Sequence, residues 1–296
     1  MIRHNHCPLC FSKRISLHLE CTDHLLSGEE FELFRCQECG FIFTREYPDE
    51  KSIAAYYESD DYISHDDHAK GSLNRVYLLA RDIMLHRKRR IVENSTGLKK
   101  GKILDIGCGT GYFAGTMKKA GWDVTGVEPN RKARDFGSKR FALNIISPDH
   151  LSDLQEKSFD SVTLWHVMEH LHDLSKYSDE IDRLLKPGGI CITALPNSNS
   201  YDAKYYGKFW AAYDPPRHLW HFNPSTVSLF WEKKGYKIAY MKNLPLDVFY
   251  ISILSEKNKG SFVPFIKGLM MGGIFALESA LDKNRSSSLI YFLHRK

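Results

Sequence analysis

His166, Glu169 and His170 occur together in the run WHVMEH (165–170). Two imidazoles and a carboxylate at this spacing can pass a proton near neutral pH or hold a divalent ion. Four cysteines form two matched turns, Cys7-Pro-Leu-Cys10 and Cys36-Gln-Glu-Cys39. Each Cys-x-x-Cys turn presents two thiolates to one side, and two such turns complete a tetrahedral four-sulfur zinc site. With all four sulfurs consumed, that metal is structural and has no open position for catalysis. A third group is the turn Asp105-Ile106-Gly107-Cys108-Gly109-Thr110-Gly111, followed by Glu128. Its glycines let a ligand approach the backbone closely. Arg217, His218 and His221, in PPRHLWHF, form a fourth group: the guanidinium fork suits a carboxylate or phosphate, and the imidazoles suit proton transfer.

These side chains need elements to hold them. Lys102–Ile106 reads as a buried strand, 107–111 as a tight loop, Tyr112–Ala120 as a helix stopped by Gly121, and Asp123–Val127 as a second strand ending at Glu128. This is a βαβ unit with an acid after its second strand. A dinucleotide fingerprint requires a third glycine where Tyr112 stands, so that cofactor class is excluded. Phe159–Leu164 predicts another buried strand, ending where WHVMEH begins. Lys186-Pro187-Gly188-Gly189 closes a helix before a fifth strand, Asn223-Pro224 caps another helix, and SSSLIYFLHRK (286–296) predicts a closing antiparallel strand. The apolar face of 72–95 predicts a long helix, and its HRKRR run (86–90) is expected near the helix C-terminus, where the dipole favours cations.

The glycine turn with Asp105 before it, and the elements after it, resemble the class I S-adenosylmethionine-dependent methyltransferases over residues 72–296, with an unmatched helical insertion at about 245–285. The resemblance implies an α/β fold: a Rossmann-like seven-stranded sheet with helices on both faces, here preceded by a small zinc ribbon. It implies S-adenosylmethionine held by Asp105, Gly107, Cys108, Gly109, Gly111 and Glu128, the last on the ribose hydroxyls, with Asp149 as the adenine-side acid. WHVMEH then lies where such proteins meet the methyl acceptor, with His170 or His166 as general base. The run is also similar to the Glu-x-x-Glu-His of ubiquinone O-methyltransferases, where a metal can orient acceptor oxygens. A histidine replaces the first acid here, which disfavours a Mg²⁺-type ion. The bland alternative is that these histidines only pack and hydrogen-bond. The inverted zinc-protease signature has the same spacing, but it requires a long helix and a further ligand that this context lacks.

The expected organisation is a zinc-ribbon module at 1–45, a connector or lid at 46–71 whose Tyr57, Tyr62 or His65 can fold over a ligand, and the methyltransferase domain at 72–296. The loop YYGKFWAAYDPPRHLWHF (205–222) either caps the pocket or packs its aromatics into the core. A net charge of +5 without a basic–aromatic array favours a small-molecule acceptor (a sugar, phenol or quinone-like compound) over RNA. RNA methylation guided by the ribbon, and a non-catalytic S-adenosylmethionine-binding scaffold, are the alternatives. There is no signal-like N-terminus, and the free cysteine pairs point to a reducing, cytoplasmic setting. The apolar stretch 262–281 carries Lys267 and Glu278, so it reads as a partly buried helix rather than a transmembrane span, with membrane-surface contact as the second reading.

Overall fold

A computed structural model describes residues 1–57 and 72–296, with residues 72–80 described as backbone only. Tyr62 and His65 lie outside the described residues. The chain opens with β1 (Ile2–Arg3), β2 (Ile15–Thr22), β3 (Glu30–Cys36), β4 (Ile42–Thr44) and β5 (Glu46–Tyr47). A long helix α1 (Ser72–Thr96) leads into β6 (Lys102–Ile106), α2 (Tyr112–Lys119), β7 (Asp123–Val127), α3 (Arg131–Phe141) and β8 (Asn144–Ile146). Then come β9 (Phe159–Trp165), α4 (Leu174–Leu184), β10 (Leu185–Pro196), a short α5 (Tyr201–Tyr206), β11 (Trp220–His221), α6 (Pro224–Lys233) and β12 (Tyr236–Asn243). A helical pair, α7 (Asp247–Asn258) and α8 (Pro264–Leu281), precedes the last strand, β13 (Ser288–Arg295).

Seven strands form the main sheet in the order β12-β13-β10-β9-β6-β7-β8. The central pairs β9–β10, β6–β9, β6–β7 and β7–β8 are parallel, and β13 runs antiparallel between β10 and β12. Helices cover both faces, so the inner strands are apolar almost throughout: Ile103, Leu104, Val162, Leu164, Ile192 and Ala194 are essentially inaccessible. One face packs Ile91 and Val92 of α1 and Phe113, Ala114 and Met117 of α2 against Ile103, Val124 and Ile192. The other joins Leu104, Ile106 and Leu164 to Ile181 and Leu184 of α4.

That second core does not stop at the main sheet. Cys7, Leu9, Phe41, Phe43 and Tyr47 belong to it, together with Leu219, Trp220, Phe222 and Trp231. The small sheet is ordered β11-β4-β3-β2, so a strand from residues 220–221 completes the edge of the N-terminal hairpin. Ile42 and Phe43 of β4 thus pair with His221 and Trp220, and the Thr44 amide donates to the Leu219 carbonyl at 2.9 Å.

One expectation for α1 needs correction. The helix runs to Thr96 and has no basic residue in its last turn, so HRKRR sits mid-helix, beyond the reach of a terminal dipole. Its cations have other partners. The Lys88 ammonium lies 4.6 Å above the Trp165 ring, and Arg89 pairs with Glu93 at 3.6 Å.

Candidate active site

The glycine turn leaves the carboxyl end of β6. Gly107, Gly109 and Gly111 all have left-handed φ values, +68°, +55° and +81°. The amides of Gly107 and Cys108 both donate to the Val127 carbonyl, at 2.7 and 3.1 Å, which ties the turn to the end of β7. A Cβ on Gly107 would stand 2.4 Å from Val167, so the turn and the WHVMEH run pack against each other through a position only glycine fills. A Cβ on Gly109 would meet nothing, and the space it faces is open to a ligand.

Two acids flank this turn. Asp105 is 2% exposed and accepts a 2.7 Å bond from the Thr163 hydroxyl; burial pushes its carboxyl up to about 7, against the opposing pull of that bond and of Lys88. Glu128 accepts from the Gly109 amide and the Asn130 amide, both at 2.9 Å. Burial raises its carboxyl above the usual range, and the two amides oppose the rise. Asp149 lies further out, exposed in a 3₁₀ turn (Pro148–Asp153) and bonded to the Ser147 hydroxyl at 3.2 Å.

WHVMEH leaves the end of β9 as a turn, with only Met168–His170 in a 3₁₀ helix, so the long helix a zinc protease requires is absent here. His166 takes a left-handed φ of +55°. Its Nε2 lies 2.9 Å from Oδ2 of Asp247, the first residue of α7, and its Nδ1 3.4 Å from Glu169 Oε1. Burial alone would lower its pKa; Asp247 and then Glu169 override burial and raise it to about 9. His166 is therefore an imidazolium at neutral pH, with no lone pair to take a proton, which removes it as general base.

His170 is its opposite. Burial first, then the neighbouring His218, pull its pKa down to about 4, so it is neutral at physiological pH. Its Nδ1 is 3.1 Å from the Arg217 carbonyl and 3.0 Å from the Tyr57 hydroxyl. Nδ1 of His218 is 2.8 Å from the Ala212 carbonyl. A carbonyl can only accept, so both rings are assigned as Nδ1–H tautomers with a lone pair on Nε2. The two rings meet edge to face at 4.5 Å. Beside them Glu169 is 1% exposed, and among the described residues neither carboxylate oxygen has a hydrogen bond. Burial would raise its pKa, but His166 holds it below the usual carboxylate range. One ligand atom from each of Glu169, His170 and His218 fits within 4.8 Å of the others.

Arg217 takes no part in this cluster. Its side chain is inaccessible, and every nitrogen is occupied: Nε and Nη2 by Asp214, Nη2 also by Asp23, and Nη1 by the Tyr56 carbonyl. A guanidinium so paired ties β2 to the turn before β11 and cannot clamp a substrate anion. His221, 4% exposed and 3.3 Å from the Thr44 hydroxyl, is likewise a core residue. Trp210, Tyr213, Trp220 and Phe222 are buried too, so the aromatic loop packs inward instead of facing a ligand.

Two neighbours escape sequence reasoning. Asp247 comes from a segment that matches no family pattern, and nothing in its spacing points to His166. Lys88 is hidden inside a basic run, yet it is the cation that Asp105 and Asp247 both feel, and burial lowers its pKa.

At the N-terminus the two cysteine turns are alike in detail. The amide four residues after each first cysteine returns to that cysteine's carbonyl: Phe11 to Cys7 at 2.9 Å and Gly40 to Cys36 at 3.0 Å. Both of these residues are left-handed, at +62° and +74°. The turns face each other with Cys7–Cys39 and Cys10–Cys36 sulfur separations of 3.6 and 3.5 Å. A regular tetrahedron with zinc–sulfur bonds of 2.3 Å has edges of about 3.8 Å, so the four sulfurs fit that ion closely.

The parallel sheet with one antiparallel strand, and the glycine turn at its carboxyl edge, define the class I methyltransferase fold. A methyltransferase-domain profile matches residues 79–240. A ubiquinone biosynthesis O-methyltransferase of Acinetobacter baylyi is 33% identical over 168 residues, covering 52% of this chain and 71% of that protein. The protein of the same name from Alkalilimnicola ehrlichii is 34% identical over 110 residues, 35% of this chain and 44% of its own, so the chain spans less than half the length of that relative. Among solved structures, a proposed sarcosine dimethylglycine methyltransferase from Galdieria sulphuraria gives a TM-score of 0.50 at 15% identity over 75% of this chain and 88% of that one, a likeness of fold. The chain belongs to the methyltransferase-domain family.

Proposed function

We propose that this protein transfers a methyl group from S-adenosylmethionine to a small hydroxylated acceptor of phenol or quinone-like type. The carrying observation is the left-handed turn at 107–111, open beside Gly109 and closed on Glu128, packed through Gly107 against Val167 of the run that carries His170. Gly107, Cys108, Gly109 and Gly111 line the cofactor's path, and Asp105 and Glu128 supply carboxylates for its cationic and ribose portions. Lys88, held beside Asp105, is suited to the carboxylate of the methionine end. S-adenosylmethionine supplies an electrophilic methyl group when bound. The protein's own task is then alignment, in which effective molarity gains can reach ~10⁵ M or more.

On the acceptor side, His170 Nε2 takes the hydroxyl proton, with its ring fixed by the Arg217 carbonyl and Tyr57. The imidazolium of His166 keeps Glu169 anionic, and Glu169 can in turn balance the proton gained by His170. The likeness to ubiquinone biosynthesis O-methyltransferases supports a phenolic acceptor. The buried Glu169 carboxylate, which beyond the His166 ion pair accepts no hydrogen bond among the described residues, supports a second reading, in which Glu169, His170 and His218 hold a divalent ion against the acceptor oxygens. Two imidazoles suit a zinc-class ion better than Mg²⁺. The test is transfer of labelled methyl from S-adenosylmethionine into a panel of catechols, monophenols and sugars, with and without chelator. Label in catechols or phenols is expected; label confined to sugars, or no transfer at all with intact cofactor binding, would overturn the acceptor assignment.

A further inference from the structure

We propose that the α7–α8 hairpin docks this protein on an anionic lipid surface, an inference that goes beyond methyl transfer and does not depend on it. The helix α8 is two-faced. Gly268, Gly272, Phe275 and Ser279 turn inward and are buried. A Cβ on Gly268 would come within 2.4 Å of the Ile253 backbone, and one on Gly272 within 2.8 Å of the Phe249 ring, so the two helices are pressed together through glycines four residues apart. The outward face carries Ile266, Met270, Ile274, Leu277 and Leu281, spaced four, four, three and four residues apart in one stripe, with Phe262 at the hairpin tip. Their exposures run from 47% at Ile274 to 102% at Phe262, and no described residue covers them. Scattered exposed apolar residues are ordinary; a continuous stripe along a whole helix marks an interaction surface.

Charge selects the occupant. From residue 257 to residue 277 the chain carries Lys257, Lys259 and Lys267 and no acidic residue. All three lysines are exposed, while Glu256, just before them, is buried and bonded to Ser261. A second copy seated in parallel on this face would oppose lysines to lysines, and the antiparallel alternative is an outcome of the test below. An acidic bilayer accepts both the stripe and its cations, the combination that holds amphipathic helices in the interface plane. By length and composition the helix could span a bilayer, but it carries Lys267 and Glu278 and one face is packed on α7 through Gly268 and Gly272, so it is placed on the surface rather than across it. The hairpin begins at Asp247, the residue that holds His166, so the docked element and the candidate active site share a residue.

The experiment is sedimentation of the full chain with phosphatidylcholine vesicles, with and without phosphatidylglycerol. Binding to the phosphatidylglycerol vesicles is expected to be tighter by on the order of tenfold or more and to weaken with salt. It should be lost in Ile266→Asp/Met270→Asp and reduced in Lys257→Glu/Lys267→Glu, while both variants keep S-adenosylhomocysteine affinity as a check of the fold. Equal binding to uncharged vesicles, or no binding to either, overturns the proposal. So does a dimer in sedimentation velocity that Ile266→Asp dissolves without any vesicle association.

Discussion

His166 Nε2 stands 2.9 Å from the Asp247 carboxylate, joining the end of the central strand β9 to the first residue of the helical hairpin. The bond has an electrical consequence three residues away, at Glu169. With His166 held as a cation, Glu169 can remain ionised in an inaccessible position, and the charge order Asp247, His166, Glu169 runs minus, plus, minus into the site. His170, next in line, stays neutral. Four titratable groups thus have their protonation states set apart by contact, a pattern typical of functional sites.

Replacing Asp247 by Asn should therefore destabilise the protein by about 1.5–3 kcal/mol at pH 7, the usual worth of a hydrogen bond to a charged group. The pH dependence has a definite sign. His166 has a pKa raised from near 6.5 to about 9, so its contribution is complete below 6.5 and is lost as pH rises through about 9. Thermal unfolding of wild type and Asp247→Asn should differ most near pH 6–7 and converge above about pH 9. A difference that persists unchanged at high pH would mean that Asp247 acts through packing.

The cofactor side is checked by equilibrium binding of S-adenosylhomocysteine. Gly109→Arg should abolish binding, because its side chain enters the open space beside the turn in a left-handed backbone that non-glycine residues disfavour. Glu128→Gln should weaken it about 10–100-fold, the equivalent of one or two charged hydrogen bonds. Lys88→Met should weaken it by a similar factor but leave 5′-methylthioadenosine, which lacks the amino-acid carboxylate, bound as before. Equal losses for both ligands would remove Lys88 from that role.

For His170 the expectation concerns rate. If its Nε2 accepts the acceptor proton, His170→Ala should slow transfer by about 10²–10⁴-fold. A base with a pKa near 4 stays competent throughout the neutral range, so kcat should be flat from pH 8 to about pH 5 and fall below that. A rate that instead collapses with chelator at pH 7 and returns with zinc or cobalt assigns Glu169, His170 and His218 to a metal.

Much of this was legible in the chain. The β6–turn–β7 unit reads directly because buried parallel strands are short apolar runs and the turn demands glycine at fixed places. The chain points to both His170 and His218 but not to their meeting, since 47 residues separate His170 from Arg217 and the segment returns through β11 on the N-terminal sheet and through bonds such as Leu219 N–H to the Glu169 carbonyl. Arg217 failed as a ligand-binding candidate for a related reason: its partner Asp23 is 194 residues away, and a sequence cannot show that a guanidinium is already satisfied. Asp247 and Lys88 carried no signal because each is defined by what it faces across the fold, and neither belongs to a spacing rule.

The cysteine turns show what geometry adds to a motif. Cys-x-x-Cys twice over suggests zinc; what strengthens it is that both turns adopt the same left-handed fourth step, at Phe11 where glycine would be easier and at Gly40 where it stands. A phenylalanine held at +62° while the residue is 70% exposed gains little from burial, so the constraint is assigned to the turn that aims the two sulfurs. Four thiols within 4.8 Å would repel one another as thiolates without a cation between them. The protein should therefore contain one zinc per chain by atomic absorption. Its removal by a strong chelator at mildly acidic pH, where thiolates are reprotonated, should lower the melting temperature by more than 10 °C, because β4 carries β11 and with it the backbone that fixes His170. Cys10→Ser and Cys39→Ser should reproduce that loss, whereas Cys191→Ser, outside the cluster, should leave zinc content unchanged. Full zinc content in Cys10→Ser/Cys39→Ser would show that the metal sits elsewhere.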